Sequence, residues 1–140
     1  KDLDFIIVDM PPGTGDTQLT FSTEIKMDGA IIISTPQEVA LLDVKRGIKM
    51  FDKLGVKIIG LIDNMSFFIG DDGKKYKIFG EGGVKKTAEE FNKNFLGEIP
   101  INSEVGKCGD EGKPIVEANP SHEISKIYQN LAEKIKFDFL

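Results

Sequence analysis

The chain has 140 residues, of which 40% are hydrophobic, and its formal net charge is -5. This size and apolar content fit a single domain with a buried core. The acidic balance argues against a general nucleic-acid binder, which needs a basic face to displace counterions from phosphates. No apolar run reaches the roughly 18 residues that span a bilayer, and the first residues lack a signal-peptide pattern. We therefore expect one cytoplasmic domain over residues 1–140, without nucleic-acid or membrane partners.

The first elements along the chain are predicted to be strand, helix and strand. Leu3 to Val8 is a continuous apolar run, which is typical of a strand buried on both faces of a parallel sheet. Asp16 is placed to cap a short helix that ends at about Ile25. The run from Ala30 to Ile33 predicts a second strand. The chain begins without Met and enters this first strand at once, so we expect it to be a piece of a longer protein.

A second helix is predicted after this strand. Thr35 and Glu38 have the spacing of a capping box, and Pro36 suits the first helical position. Apolar residues continue at helical spacing as far as Leu54, and Gly55 is expected to end the helix.

The second half of the chain continues the alternation of strands and helices. The predicted elements are a strand from Val56 to Ile62, a hairpin around Gly70 to Gly73, a helix near Val84 to Phe91, a strand from Phe95 to Ile99 closed by Pro100, and a helix that starts at Asn119 to Ser121. One apolar stripe marks the last helix: Ile124, Ile127, Tyr128, Leu131 and Ile135. Alternating apolar strands and amphipathic helices predict a doubly wound α/β domain with a mostly parallel sheet.

Polar clusters follow the predicted strands, at 9–16, 34–38, 63–66 and 100–103. Ligands of such sheets bind at the carboxyl ends of the strands, so the four clusters should share one edge. Asp9 ends a buried strand, where a carboxylate either binds a cation or caps a loop. Gly13 and Gly15 would let backbone N–H groups approach an anion. The residues alone leave two alternatives open, a nucleotide site and a simple tight turn with a capping acid.

Several motifs resemble one protein family. These are D-M-P-P-G-T-G-D from Asp9, the run from Thr35 to Phe51, D-N-M-S from Asp63, I-F-G-E-G-G from Ile78 and L-G-E-I-P-I from Leu96. In this order they resemble the Mrp family of P-loop ATPases, relatives of MinD and ParA that assemble or carry iron-sulfur clusters. The resemblance covers nearly the whole chain and implies a P-loop NTPase fold, ATP and Mg²⁺ as ligands, a homodimer and iron-sulfur apoproteins as partners.

The resemblance also implies roles for individual residues. Asp9 matches the acid that contacts magnesium, usually through water, and is with Gly13 a catalytic candidate. Gly13, Thr14 and Gly15 match the switch that senses the terminal phosphate. Asn64 matches the asparagine that recognises adenine, and Pro100 lies in the segment that borders the base; the bland alternative for Asn64 is a turn residue.

Two family motifs are missing from the sequence. No phosphate-binding loop of the type G-x-x-x-x-G-K-[ST] is present, so the chain resembles the C-terminal part of the ATPase domain and should not hydrolyse ATP by itself. The C-x-x-C that binds a cluster is also absent: Gly70 to Gly73 stand in its place, and the single cysteine, Cys108, lies well downstream. Carriage of an iron-sulfur cluster by this chain is therefore doubtful.

Three function classes remain open from the sequence. The first is an ATPase of iron-sulfur maturation, of which this chain is a part. The second is a MinD/ParA-like positioning or regulatory switch, and the third is a noncatalytic interaction domain if the chain is complete.

Overall fold

A computed structural model describes residues 3–11, 13 and 15–137. Ten helices and strands follow one another among these residues: α1 (Asp16–Glu24), β1 (Ala30–Ser34), α2 (Glu38–Leu54), β2 (Ile58–Ile69), β3 (Lys75–Tyr76), α3 (Gly83–Glu90), β4 (Phe95–Ile101), α4 (Ser103–Asp110), α5 (Ile115–Ala118) and α6 (Glu123–Phe137).

The sheet is mixed and centred on β2. Strands β1 and β4 pair with β2 in parallel on its two sides, and β3 forms an antiparallel hairpin with the end of β2. The parallel strands place their carboxyl ends at one edge, as the alternation of elements predicted. The predicted α/β architecture with a mostly parallel sheet is confirmed.

Helices cover both faces of the sheet, as a doubly wound fold requires. Residues of α2 and α3 pack on one face around Ile48, Leu61 and Val84, all of which are 0% exposed. The other face packs against α6 through Leu131. The predicted apolar stripe of α6 is confirmed, because all five of its residues are buried in these cores or packed against them.

The predicted first strand is wrong for the structure. Residues 3–8 lie outside every strand, and the side chains of Leu3, Ile6 and Ile7 are 74%, 79% and 91% exposed. An apolar run becomes a buried strand where neighbouring strands complete its hydrogen bonds and other elements cover its faces. The high exposure of these side chains shows that the described residues do not cover this run.

The predicted caps of the first two helices are also wrong. The N-cap of α1 is Gly15, whose carbonyl oxygen accepts a hydrogen bond from the N–H of Leu19 at 3.1 Å, and Asp16 is the first helical residue. Helix α2 starts at Glu38 with Gln37 as its N-cap, and neither cap makes a side-chain hydrogen bond to its helix. At the other end, the left-handed Gly55 ends α2 as predicted.

Strand ends were the least predictable boundaries. Strand β2 continues past Ile62 to Ile69, because its polar residues still pair with β4. Pro100 lies inside β4 instead of ending it. The register between β2 and β4 shifts around this position, where a residue without an N–H can be accommodated.

Two helices, α4 and α5, were not predicted. Helix α4 is capped by Asn102, whose side-chain oxygen accepts a hydrogen bond from the N–H of Glu104 at 2.9 Å. The last helix begins at Glu123, later than predicted, and His122 Nδ1 accepts a hydrogen bond from the N–H of Ile124 at 3.1 Å. A local capping role thus accounts for this histidine.

Candidate functional site

The carboxyl ends of β1, β2 and β4 form one edge of the sheet. Ser34 pairs with Asp63, and Asp63 pairs with Glu98 on its other side. The next pair, Asn64 with Ile99, lies one residue further along. The predicted polar clusters at 34–38 and 63–66 therefore meet at one edge beside Glu98 and Ile99, which directly precede the cluster at 100–103, and the cluster at 9–16 leads into α1.

Asp63 is the most unusual side chain at this edge. It is 1% exposed, and its Oδ1 atom is buried without a hydrogen-bond partner. Burial, and to a smaller extent the nearby Glu98 carboxylate, raises the pKa of its carboxyl group from 3.8 to about 6. Asp63 was not among the site residues expected from the sequence, although an acid directly after the apolar run that ends at Ile62 was a signal for it.

The two residues expected near adenine lie on neighbouring strands. Asn64 is half-buried in β2, and Pro100 is buried in β4 next to Ile99, the register partner of Asn64. Strand alternation places Asn64 on the opposite face of the sheet from Asp63. Asn64 and Pro100 therefore lie on neighbouring strands near this edge, although the same alternation places Pro100 on the face opposite to Ile99 and Asn64.

The glycine-rich segment lies before α1, and the side chain of Asp9 is exposed. Gln18 of α1 donates a hydrogen bond from Nε2 to the carbonyl oxygen of Pro11 at 2.6 Å, which attaches the segment to the helix. Met10 packs against the core beneath α2. Gly13 has a φ of +95°, a conformation that favours glycine, and Thr14 lies outside the described residues.

The β2–β3 hairpin is held together by polar contacts. The Tyr76 hydroxyl donates to Asp72 Oδ2 at 2.8 Å, and the N–H of Lys74 donates to Asp72 Oδ1 at 3.0 Å. These hydrogen bonds lower the pKa of the Asp72 carboxyl group. Lys75 Nζ lies 4.2 Å from the centroid of the Phe67 ring. The predicted hairpin is confirmed. Strand pairing and the hydrogen bonds to Asp72 hold it together, and its sequence contains no cysteine.

Cys108 lies in α4, remote in sequence from the hairpin, and is buried. It lines a pocket of about 660 Å³ between α4, α5 and α6, together with apolar residues such as Val105 and Ile115. Within the described part of the chain, no group of three or more His, Cys, Asp or Glu side chains is arranged to hold a metal ion. No described helix is long and apolar enough to cross a membrane.

Comparison with protein families decides the identity of this fold. Residues 1–136 match the ParA family, described as "NUBPL iron-transfer P-loop NTPase". The chain belongs to this family. The recognition of an Mrp-type P-loop ATPase from the sequence motifs is thereby confirmed.

Relatives from plants and bacteria are similar over most of the chain. It is 47% identical over 135 residues to the Arabidopsis thaliana "Iron-sulfur protein required for NADH dehydrogenase, mitochondrial", covering 96% of this chain and 43% of that protein. It is 45% identical over 135 residues to a Synechocystis "Iron-sulfur cluster carrier protein", covering 95% of this chain and 38% of that protein. The chain thus spans less than half the length of these relatives.

Solved structures of the family's fold are similar as well. A nucleotide-binding protein from Archaeoglobus fulgidus, solved with ADP, has a TM-score of 0.66 and 37% identity, covering 74% of this chain and 43% of that one. The cell division ATPase MinD of Pyrococcus furiosus has a TM-score of 0.61 at 21% identity, covering 79% of this chain and 43% of that one. The second likeness supports the fold alone. Together they agree with the nucleotide-binding P-loop fold implied by the motifs.

Proposed function

We propose that the complete protein binds and hydrolyses ATP with Mg²⁺ and uses this cycle to assemble or transfer iron-sulfur clusters. The observation that carries the proposal is the family match over residues 1–136. The relatives named as iron-sulfur cluster carriers and the ADP-bound neighbour support it from two directions. In this proposal the present chain, 1–140, is the C-terminal part of the ATPase domain, and the phosphate-binding loop lies upstream.

The proposed roles follow the two groups of residues described above. Asp9 would hold Mg²⁺, usually through water, and Gly13 to Gly15, with Thr14 between them, would sense the terminal phosphate. The exposed position of Asp9 leaves its carboxylate accessible to a hydrated cation. The hydrogen bond from Gln18 to Pro11 links this segment to α1, so a movement of the loop could be passed to that helix.

Asn64 and Pro100 form the proposed adenine side of the site. The amide of Asn64 can both donate and accept, as recognition of the adenine edge requires. Pro100 offers an apolar surface on the neighbouring strand. Their placement at the carboxyl edge of the sheet fits the general position of ligands in this fold class.

In this proposal the iron-sulfur cluster is a cargo that the complete protein assembles or transfers. The one cysteine of this chain is buried in α4, and the hairpin that stands in place of the family's C-x-x-C contains none. We therefore propose that cluster ligands come from outside this chain, including the client apoproteins. A homodimer and a cytoplasmic location are further parts of the proposal; the Arabidopsis relative is itself named as mitochondrial.

The adenine assignment gives a direct test of the nucleotide proposal. Equilibrium binding of fluorescent ATP and GTP analogues to the complete protein should show a preference for ATP. Asn64→Ala should reduce this preference about tenfold, equivalent to the loss of one hydrogen bond of about 1.4 kcal/mol. Asn130→Ala is the matched control, because Asn130 is an exposed asparagine of α6. An unchanged preference in Asn64→Ala would remove Asn64 from the site, and absence of ATP binding would remove the proposed function.

A further inference from the structure

Three oxygen-bearing side chains stand side by side across the parallel strands. Ser34 of β1 pairs with Asp63 of β2, and Asp63 pairs on its other side with Glu98 of β4. In-register residues of neighbouring strands point to the same face of a sheet. Asp63 shares this face with Leu61, which packs in the core beneath α2 and α3. We call these three residues the oxygen row.

The central member of the oxygen row lacks a partner. Asp63 is 1% exposed, and its buried Oδ1 makes no hydrogen bond to any described residue. A buried carboxylate is retained at such a position when something satisfies it, because burial of an unpaired charge is costly. The adjacent Glu98 adds a second negative charge instead of a positive one.

None of the ion pairs among the described residues includes Asp63 or Glu98. The lysine and arginine side chains that form ion pairs among the described residues do so with other acids: Asp43, Asp52, Asp72, Glu81 and Glu90. Ser34 donates its own hydrogen bond to the carbonyl oxygen of Thr35 at 2.9 Å, which leaves the lone pairs of its hydroxyl oxygen free to act as a ligand.

We propose that the oxygen row, Ser34, Asp63 and Glu98, binds a divalent cation of the hard, oxygen-preferring class, such as Mg²⁺, Ca²⁺ or Mn²⁺. Neighbouring strands lie about 4.8 Å apart, so carboxylates on adjacent strands can converge on an ion with ligand distances of about 2.0–2.6 Å. Hydroxyl and carboxylate oxygens are the ligands these ions prefer, and water would complete the coordination shell.

This cation site shares no residue with the proposed magnesium position at Asp9. It lies on the sheet face covered by α2 and α3, whereas Asn64, one residue further along β2, points to the opposite face. It needs no nucleotide, so it can be measured with the nucleotide absent. If the protein bound no Mn²⁺ at this site, the proposed ATP-dependent function would be unaffected. If the protein did not bind or hydrolyse ATP, the proposed cation site would likewise be unaffected.

The test uses Mn²⁺ as the probe and the complete protein without nucleotide. Electron paramagnetic resonance measures free Mn²⁺ directly, and a thermal melt measures the rise in Tm between EDTA and 10 mM MnCl₂. We expect wild type to bind Mn²⁺ and its Tm to rise by about 5 °C at saturation. Asp63→Asn and Glu98→Gln should each reduce the affinity at least tenfold and abolish most of the Tm rise.

Two control variants remove a carboxylate from other places. Asp71→Asn changes an exposed acid of the hairpin, and Asp9→Asn removes the acid proposed to contact nucleotide-bound magnesium. Both should keep the affinity for Mn²⁺ and the Tm rise of wild type. The proposal is overturned if wild type binds no Mn²⁺ at 10 mM, if Asp9→Asn abolishes binding, or if either Asp63→Asn or Glu98→Gln binds as wild type does.

Discussion

The buried carboxylate of Asp63 should make the stability of the fold depend on pH. Its pKa in the folded protein is about 6, against 3.8 for an ordinary aspartate. A raised pKa means that the folded state binds the proton more tightly than the unfolded state does. The favourable contribution of the Asp63 carboxyl group to the free energy of unfolding is therefore complete below pH 3.8 and is lost as the pH rises through about 6.

The size of the effect follows from the shift in pKa. Each pKa unit corresponds to about 1.4 kcal/mol, so a shift of about two units gives at most ~3 kcal/mol between acid and neutral pH. Asp63→Asn removes the charge while nearly preserving the shape. We compare the free energy of unfolding of the variant with that of wild type in EDTA and without nucleotide. We expect this difference to favour the variant by about 1–3 kcal/mol more at pH 8 than at pH 4.

Urea unfolding followed by far-UV circular dichroism at several pH values measures this difference. The comparison is between wild type and Asp63→Asn at each pH, so the titration of all other groups cancels. Glu98→Gln should remove only part of the pH dependence, because burial is the larger cause of the raised pKa. Asp71→Asn, which changes an exposed acid, should leave it intact. An equal stability difference at pH 4 and pH 8 would refute the reasoning.

Three other predictions concern packing and solubility. A Cβ at Gly60 would lie 2.6 Å from a side-chain carbon of β4, so Gly60→Ala should cost about 1–3 kcal/mol in urea unfolding, whereas Gly47→Ala, which meets nothing within 4 Å, should be neutral or stabilising. Leu131→Ala, at a side chain 5% exposed, should cost about 2–5 kcal/mol in the same assay. The exposed run at 3–8 predicts poor solubility of the 140-residue chain expressed alone. Replacing Ile6 and Ile7 by serine should raise the soluble fraction without lowering the Tm. A soluble, cooperatively melting wild-type monomer would contradict this prediction.

The interior of the sheet was predictable because its pattern is strong and local. The runs that became β1 and β4 pair with β2 and are covered by helices, and the apolar residues of α6 recur at helical spacing. Gly55 ended α2 as expected, because a left-handed residue after a helix favours glycine. These features depend on short-range rules that the sequence displays directly.

The errors arose where tertiary context decides. Leu3 to Val8 has the composition of a buried strand, yet the described residues leave it uncovered and outside the sheet. Helix α4 was missed because Gly106 and Gly109 weaken its helical pattern, while the cap from Asn102 and the burial of Cys108 sustain it. In the first case a strong local propensity is not matched by packing, and in the second a cap and burial outweigh a weak helical pattern.

The candidate site was predictable in part. Its position at the carboxyl edge followed from the fold class, and the placement of Asn64 beside the strand of Pro100 agrees with it. The roles of Asp9, Gly13 and Asn64 came from family resemblance and stay predictions. The isolation of the Asp63 carboxylate could not be predicted, because a sequence does not show which polar atoms lack partners.

ATP hydrolysis by the complete protein tests the central claim most directly. The assay is release of phosphate with Mg²⁺ present, for wild type, for Asp9→Asn, and for Asp4→Asn as a control acid of the same segment. We predict hydrolysis by wild type and Asp4→Asn and a loss of at least a hundredfold in Asp9→Asn, about 2.7 kcal/mol of transition-state stabilisation. A complete protein that hydrolyses no ATP, or an Asp9→Asn variant as active as wild type, would contradict the account.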